Sequence, residues 1–400
     1  MIAAVVACVA ISGFAQDLSS PMRGTIIPPQ QAPTPTPRIH LPLYIFIPDH
    51  NVNPDIPNGE TPASIACIYG VTTHTSGCPK SGTIVPTGGT KAIAVVEYGR
   101  YSAVQSDLVT FSNQFSLGGN TTLIEQCYGA PTCPDNSGTQ WDLETALDVQ
   151  WAHAMAPNAQ IIVAEFANDP IGDGAVSGAA QYIAAHYTSG EESNSWGYLD
   201  GENWCGSGNC ELSYDSNFVQ SGIVFFASAG DSGVGAQYPS ISPNVVSAGG
   251  TQITRDSGGN FTGENCWNGS GGGISQYEVL PQYQIWIANR TGPKRGTPDW
   301  AGVASPASGV DVYSTTFCHG WCIVGGTSAA SPILAGITNQ SGHFSMSTLA
   351  ELSKTYQYYL NPVGYHQKFF DVTTGSNGQP AQFGWDQCTG LGSIRQPSFF

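Results

Sequence analysis

Three short segments of this 400-residue chain carry side chains whose types and spacing could do chemistry. The first is Gly325-Gly326-Thr327-Ser328-Ala329-Ala330-Ser331-Pro332. Its two glycines permit a tight turn, and a helix beginning at Ser328 holds the hydroxyl near the positive end of the helix dipole. A serine there is ordinarily only a cap. The second is Glu144-Thr145-Ala146-Leu147-Asp148-Val149-Gln150-Trp151, where Glu144 and Asp148 stand four apart and share one helix face. On a solvated face they would merely repel each other. Leu143, Leu147, Trp151 and the alanines argue for burial instead, and buried paired carboxyls share a proton so that one titrates high. The third is Ala227-Ser228-Ala229-Gly230-Asp231-Ser232-Gly233, directly after an apolar run. An Asp after a strand is ordinarily a turn residue.

The serine segment resembles the nucleophile turn of subtilisin-like serine peptidases, which need an Asp and a His upstream. The strand end that would carry the Asp has Glu97, and none of the eight His opens a His-Gly-Thr-like helix. His153 reads as packing, and His319 comes too late in the chain. A carboxylate can replace imidazole where the medium is acid. Imidazole, with a pKa of about 6.5, is then protonated and useless as a base, whereas a Glu near 4 still accepts the serine proton. Asp148 would hold and tune Glu144. A protonated Asp231 could donate to the oxyanion of a tetrahedral intermediate.

These groups need elements to position them. Lys91 to Glu97, Gln160 to Phe166 and Gly222 to Ser228 are apolar runs that read as buried strands. Ser106 to Phe115, Trp141 to Ala156, Gly174 to Tyr187 and Ser328 to Gln340 read as helices, the second amphipathic and stopped by Pro157. The alternation predicts an α/β fold, with a doubly wound, mainly parallel sheet covered by helices on both faces. Function in such sheets collects at the carboxyl ends of the strands. Past Phe369 the chain is Gly-rich and loop-like.

Charged residues are 10% of the chain against about 25% in an ordinary domain, and the net charge is −17. Nucleic acid is not expected as a partner, because phosphate neutralisation needs Lys and Arg. An acidic environment, where carboxylates repel less, suits the chain. Residues 1–15 read as a cleaved secretory signal, although no basic residue follows Met1. Residues 16–58 read as a Pro-rich linker, and 59–400 as the globular unit. No later run reaches 18 apolar residues, so no membrane span is expected. Eleven Cys less Cys8 leave ten. Cys67 with Cys78, Cys127 with Cys133, Cys205 with Cys210 and Cys318 with Cys322 are close neighbours that suit short disulfides in an oxidising compartment. Connectivity is not legible from sequence, and Cys266 with Cys388 is what remains. Sequons stand at Asn120, Asn260, Asn268, Asn289 and Asn339.

Taken together and in this order, Glu-x-x-x-Asp-x-Gln, Ser-x-Gly-Asp-x-Gly and Gly-Thr-Ser-x-x-x-Pro resemble the sedolisin family of serine-carboxyl peptidases. The IAVVE strand, Ser195-Trp196-Gly197, Ser270 to Gly273 and Arg295 to Asp299 extend the resemblance over residues 60–400. It implies a subtilisin-like fold in a secreted, monomeric, acid-active endopeptidase acting on polypeptides. Ser328 would be the nucleophile, Glu144 its base and acid, Asp148 the partner of Glu144 and Asp231 the oxyanion donor. Substrates would lie extended between Ser195, Trp196 and Gly197 on one side and Gly271, Gly272 and Gly273 on the other. One structural Ca²⁺ is implied near the C-terminus, held by Asp371 and Asp386 carboxylates and the carbonyls of Val372, Gln382 and Gly384. The family usually has Gly where Gln382 stands. Its precursors generally carry a large N-terminal pro-domain, where here only the linker-like stretch precedes the catalytic pattern. Two alternatives remain at this level: a catalytically silent extracellular binding protein on the same fold, and a glycoside hydrolase built on Glu144 and Asp148.

Overall fold

The computed structural model describes residues 24–27, 39–41, 44–48, 56–73, 75–198, 200–205 and 210–396. The expected signal at 1–15 lies outside the described residues. Strands β1 (Gly24–Ile27), β2 (Ile39–His40) and β3 (Tyr44–Pro48) come first. They are followed by α1 (Pro62–Ile68), β4 (Ala92–Tyr98), α2 (Val104–Gln114), β5 (Ile124–Tyr128) and α3 (Gln140–Met155). Next are β6 (Gln160–Phe166), α4 (Ala175–His186), β7 (Gly190–Asn194), β8 (Gly197–Tyr198) and β9 (Ile223–Ser228). Then come β10 (Val246–Arg255), β11 (Phe261–Cys266), β12 (Gly273–Val279), α5 (Ala288–Thr291), β13 (Lys294–Thr297) and β14 (Trp300–Val303). The last elements are β15 (Val310–Ser314), β16 (Gly320–Gly325), α6 (Thr327–Gln340), α7 (Thr348–Tyr359), α8 (Pro362–Lys368), β17 (Phe369–Phe370) and β18 (Ser393–Ile394).

The predicted strands and helices fall within about two residues of these bounds. Ten strands form the main sheet, in the order β17-β18-β14-β10-β9-β7-β4-β6-β5 with β11 added to β10. From β14 through to β5 every neighbouring pair is parallel. The antiparallel pairs are β10 with β11 and β17 with β18. Helices α3 and α6 pack against each other on one face, α6 over β7, β9, β10 and β14 and α3 over β4 and β6. Helix α4 covers the opposite face over β4, β6 and β7. Strand β7 registers both faces in consecutive residues: Glu191 accepts from Asn339 of α6, and Glu192 lies beside Tyr128 of β5. Because β4, β7 and β9 are parallel, Glu97, Ser195 and Asp231 all emerge at the carboxyl ends of the strands.

Two expectations need revising. Helix α3 is not amphipathic: all of its residues are buried, charged ones included, since α2, α6, β15 and the sheet enclose it. The stretch 16–58 is more than a linker. Its prolines bound apolar runs rather than interrupt them, and these runs pair as strands, β3 between β1 and β16, and β2 on β8. Five disulfides join Cys67–Cys78, Cys127–Cys133, Cys205–Cys210, Cys266–Cys388 and Cys318–Cys322.

The wall beyond β10 depends on a fully buried bidentate ion pair. Arg295 reaches both oxygens of Asp299, at 2.8 and 2.6 Å. Asp299 also accepts from the Ser247 amide and the Tyr356 hydroxyl, which ties β10 and α7 together. Breaking such a pair strands a buried charge and costs about 3–5 kcal/mol. Arg295→Leu should therefore lower the midpoint of chemical denaturation by a corresponding amount. An unchanged midpoint would contradict that role.

Candidate active site

Ser328 is the second residue of α6, and the turn before it is shaped by glycine. Gly326 has φ +110°, and a Cβ on Gly325 would lie 2.6 Å from the Ala304 carbonyl oxygen. Pro332 has no N–H to give to the carbonyl four residues earlier, which is that of Ser328. The Ser195 hydroxyl donates to that carbonyl instead, at 3.3 Å. The Ser328 amide is among the first-turn N–H groups that lack an intrahelical acceptor.

Beside the serine, Asp231 accepts from the amide and the hydroxyl of Thr327, both at 2.8 Å and both on Oδ1. Its Oδ2 is buried and has no hydrogen-bond partner. Burial raises its pKa to about 7 against the opposing effect of the two Thr327 bonds. The group is thus a neutral acid with a free donor in mildly acid solution. Gly271 must be glycine for this loop to close, since its Cβ would sit 1.9 Å from the Ala229 carbonyl oxygen.

Glu144 and Asp148 come from α3 and have no solvent exposure. Burial, then the negative charges of Asp148 and Asp231, raise the Glu144 pKa well above its ordinary value, while the Ser328 hydroxyl favours its ionised form. Neither Glu144 oxygen nor Ser328 Oγ makes a well-formed hydrogen bond, so this contact is looser than a closed one. Catalytic contacts often tighten only once a ligand is bound. Burial also raises Asp148 well above its usual range, opposed by hydrogen bonding from Ser195 and Glu97.

Glu97 is the member that sequence reasoning missed. Burial raises its pKa, followed by Asp148 and Glu144, and its contact with Asp148 favours its protonated form. Glu97 therefore stands behind Asp148 at the back of the site, although no well-formed hydrogen bond joins the two. The available signal was a lone charge at the end of the apolar strand AIAVVEY in a chain poor in charge. His153 makes no hydrogen bond, and burial lowers its pKa to about 4, which fits packing.

The other expected positions are placed unevenly. Ser195, Trp196 and Gly197 run along the site edge, with Trp196 fully buried. Gly271 and Gly272 lie opposite, but the Gly271 amide donates to Gly230 and both backbone groups of Gly272 are taken by Gly235. They are not free to add a strand. Near the C-terminus, Arg290 of α5 binds the carbonyls of Phe383 and Trp385. The alternate amides of Gln382 and Gly384 face Asp386 and Asp371, and no hydrogen bond among the described residues reaches the carbonyls of Val372, Gln382 or Gly384. Two carboxylates and three carbonyls without a hydrogen-bond donor are the ligand types a hard divalent cation takes. Cys127, Cys133 and Glu165 also converge, but the two sulfurs are bonded to each other and are not thiolates.

The raised carboxyl pKa values have a consequence for stability. The folded state holds protons that the unfolded chain, with carboxyls near 4, has lost. Asp231 and Asp311 are raised to about 7, Glu278 to about 8 and Glu211 to about 9, burial being the first cause in each. Their contribution is intact in acid and is lost as pH rises from about 4 through 7 to 9. The melting temperature should fall between pH 5 and pH 8. A melting temperature rising over that interval would refute this accounting.

A scan against profiles of protein families finds no match. Among curated proteins, kumamolisin of Bacillus sp. (strain MN-32) is 30% identical over 340 residues, 76% of this chain and 58% of that protein. Sedolisin of Pseudomonas sp. (strain 101) is 26% identical over 77% of this chain and 57% of its own length. The chain spans about half the length of the curated relatives it matches. Among solved structures, Pseudomonas sedolisin complexed with two molecules of pseudo-iodotyrostatin superposes with a TM-score of 0.67 at 23% identity, over 85% of this chain and 96% of that one. This likeness establishes the fold.

Proposed function

Since the chain belongs to the sedolisin family, we propose that it is a secreted serine-carboxyl endopeptidase that cleaves polypeptides in acid. The observation that carries this reading is the convergence of Ser328, Glu144, Asp148 and Asp231 in one enclosed site where carboxyls are the acid–base groups.

Ser328 Oγ attacks the peptide carbonyl carbon, and its proton passes to Glu144. Asp148, with Glu97 behind it, orients Glu144 and shares with it the single negative charge that the base carries before it takes the serine proton. The carbonyl π pair moves onto oxygen. The proton on Asp231 and the Ser328 amide stabilise that oxyanion. Collapse expels the amine, which takes the proton from Glu144, and leaves an acyl ester on Ser328. Water, deprotonated by Glu144, then releases the acid and restores the serine. Glu144 and Asp148 bear on each other and on Ser328 rather than standing apart across an open sugar cleft, which leaves the glycosidase alternative without support.

The proton on Asp231 dictates the neutral limb of activity. It is present below about 7 and lost above, and an ionised Asp231 repels the oxyanion. Hydrolysis of a denatured protein should be faster near pH 4 than at pH 7.5, and Ser328→Ala should lower turnover by about 10⁴-fold or more with the fold retained. Asp231→Asn, which always carries a donor, should be slower yet lose the fall near pH 7. A wild-type profile peaking at neutral pH, or turnover surviving in Ser328→Ala, would sink the mechanism.

Calcium is proposed for the C-terminal loop, held by Asp371, Asp386 and the carbonyls of Val372, Gln382 and Gly384. The ion would supply charge that fixes the loop and takes no part in proton transfer. Chelator at pH 5 should lower the melting temperature by several degrees, with recovery on adding Ca²⁺. No shift would remove the ion from the structure. Five disulfides support an extracellular location.

A further inference from the structure

Residues 373–380 form a polar turn, Thr-Thr-Gly-Ser-Asn-Gly-Gln-Pro, that is exposed except at one position. The exception is Asn377, at 5% exposure. Its side chain turns inward and is fully used. The amide donates to the Ser270 carbonyl at 2.8 Å and to the Gln387 carbonyl at 3.0 Å, and Oδ1 accepts from the Gln379 amide at 3.1 Å. Two carbonyls on one side and an N–H on the other admit a single orientation of the carboxamide. The backbone carbonyl of Asn377 accepts from the Val234 amide at 2.8 Å.

These contacts converge on the loop that carries Asp231. Gly271, next to Ser270, donates to the Gly230 carbonyl at 2.6 Å, and Gly230 directly precedes Asp231. Val234 lies just beyond the acid. The loop is thus gripped on both sides of Asp231, and both grips lead back to Asn377. Gly233 permits the approach: it has φ +78°, and a Cβ there would lie 2.7 Å from the Asn377 carbonyl oxygen. Ser232, Val234 and Gly235 are exposed whereas Asp231 is buried, so enclosure of the acid depends on how this short loop is held.

We propose that Asn377 is a positioning residue for the oxyanion acid: it clamps residues 230–235 so that Asp231 stays enclosed, and acts through Asp231 rather than on the substrate. The inference rests on the peptidase reading for what Asp231 does and on hydrogen bonding alone for the clamp. Without the clamp, water reaches Asp231 and weakens the burial that holds its pKa at about 7. The acid then ionises at lower pH, and the neutral limb of turnover moves down with it. Asp231 serves the oxyanion, which exists only in the transition state and beyond, so the loss falls on kcat rather than KM. Among the described residues, the titratable groups facing Asp231 are Glu144 of α3 and Tyr44 of β3. Both are common to the parent and its variants. A merely weakened fold would lower the active fraction without moving the limb.

The test uses the full chain with Asn377→Ala, with Gly233→Ala to press on the same contact from the other side, and with Gln379→Ala as an exposed control in the same turn. The first readout needs no turnover. Amide hydrogen exchange of residues 230–235 should quicken at least about 10-fold in the first two variants and stay unchanged in the control. The second readout is kcat and KM for a fluorogenic peptide across the acid-to-neutral range. The midpoint of the neutral fall in kcat should drop by at least about one pH unit in Asn377→Ala and Gly233→Ala, with KM within about 3-fold of the parent. Unchanged exchange, or exchange quickened equally by Gln379→Ala, overturns the clamp. Faster exchange with the fall unmoved, or a loss carried by KM, overturns the positioning role. Faster exchange in a chain that cleaves nothing, the parent included, supports the clamp and overturns the peptidase reading instead. Should Asn377→Ala not fold, Gly233→Ala decides by the same two readouts.

Discussion

The molecule depends on enclosing carboxyl groups without a cation to neutralise them. Glu97, Glu144 and Asp148 face one another inside the protein, and none of their oxygens has a well-formed hydrogen bond. Full ionisation there would place like charges in a medium that screens them poorly. The arrangement is tolerable only if most of the protons remain, so at most one charge is shared within the cluster. Chemistry and stability therefore draw on the same condition. An acid medium keeps the folded protein intact and keeps Asp231 able to donate.

The sheet provides this enclosure. Parallel strands deliver Glu97, Ser195 and Asp231 to one end of the sheet, and α3 and α6 lie side by side over its face. Glu144 and Asp148 project from one of these helices and Ser328 from the first turn of the other. Pro332, one turn further along, leaves the Ser328 carbonyl free for Ser195, which couples the Ser328 backbone to the residue that also supports Asp148. Small residues do the rest: the glycines at 271 and 325 let the chain approach where any side chain would collide, and Gly326 supplies a positive φ. The buried Arg295–Asp299 pair contrasts with the site, since there a carboxylate meets an opposite charge.

Much of the site was legible from residue types alone. The i, i+4 spacing of Glu144 and Asp148 on an apolar helix implied both contact and burial, and the Gly-Gly-Thr-Ser turn implied a helix start at the serine. Glu97 was read only as the absence of an Asp, because its partner lies on a helix more than forty residues away and no local pattern links them. The N-terminal stretch was read as a linker from its proline content. Prolines bar a central strand position but not the ends of a short one, and what decides is whether an unpaired edge is available. Composition does not report that.

The sequence by itself determined the strands and helices that carry the site, the burial of Glu144 and Asp148, and which four cysteine pairs were close enough in the chain to join. Those are local properties, set by periodicity, side-chain volume and the short reach of a loop. Only the tertiary structure decided that Glu97 would stand behind Asp148, that the amide and carbonyl of Gly272 would be spent on Gly235, and that Ile39 and His40 would sit against Tyr198 and Gly197. Each of these is a meeting between distant stretches of chain. Such meetings follow from how the strands are ordered and which edges remain open, and backbone groups alike in every residue leave no mark of their partner in the sequence.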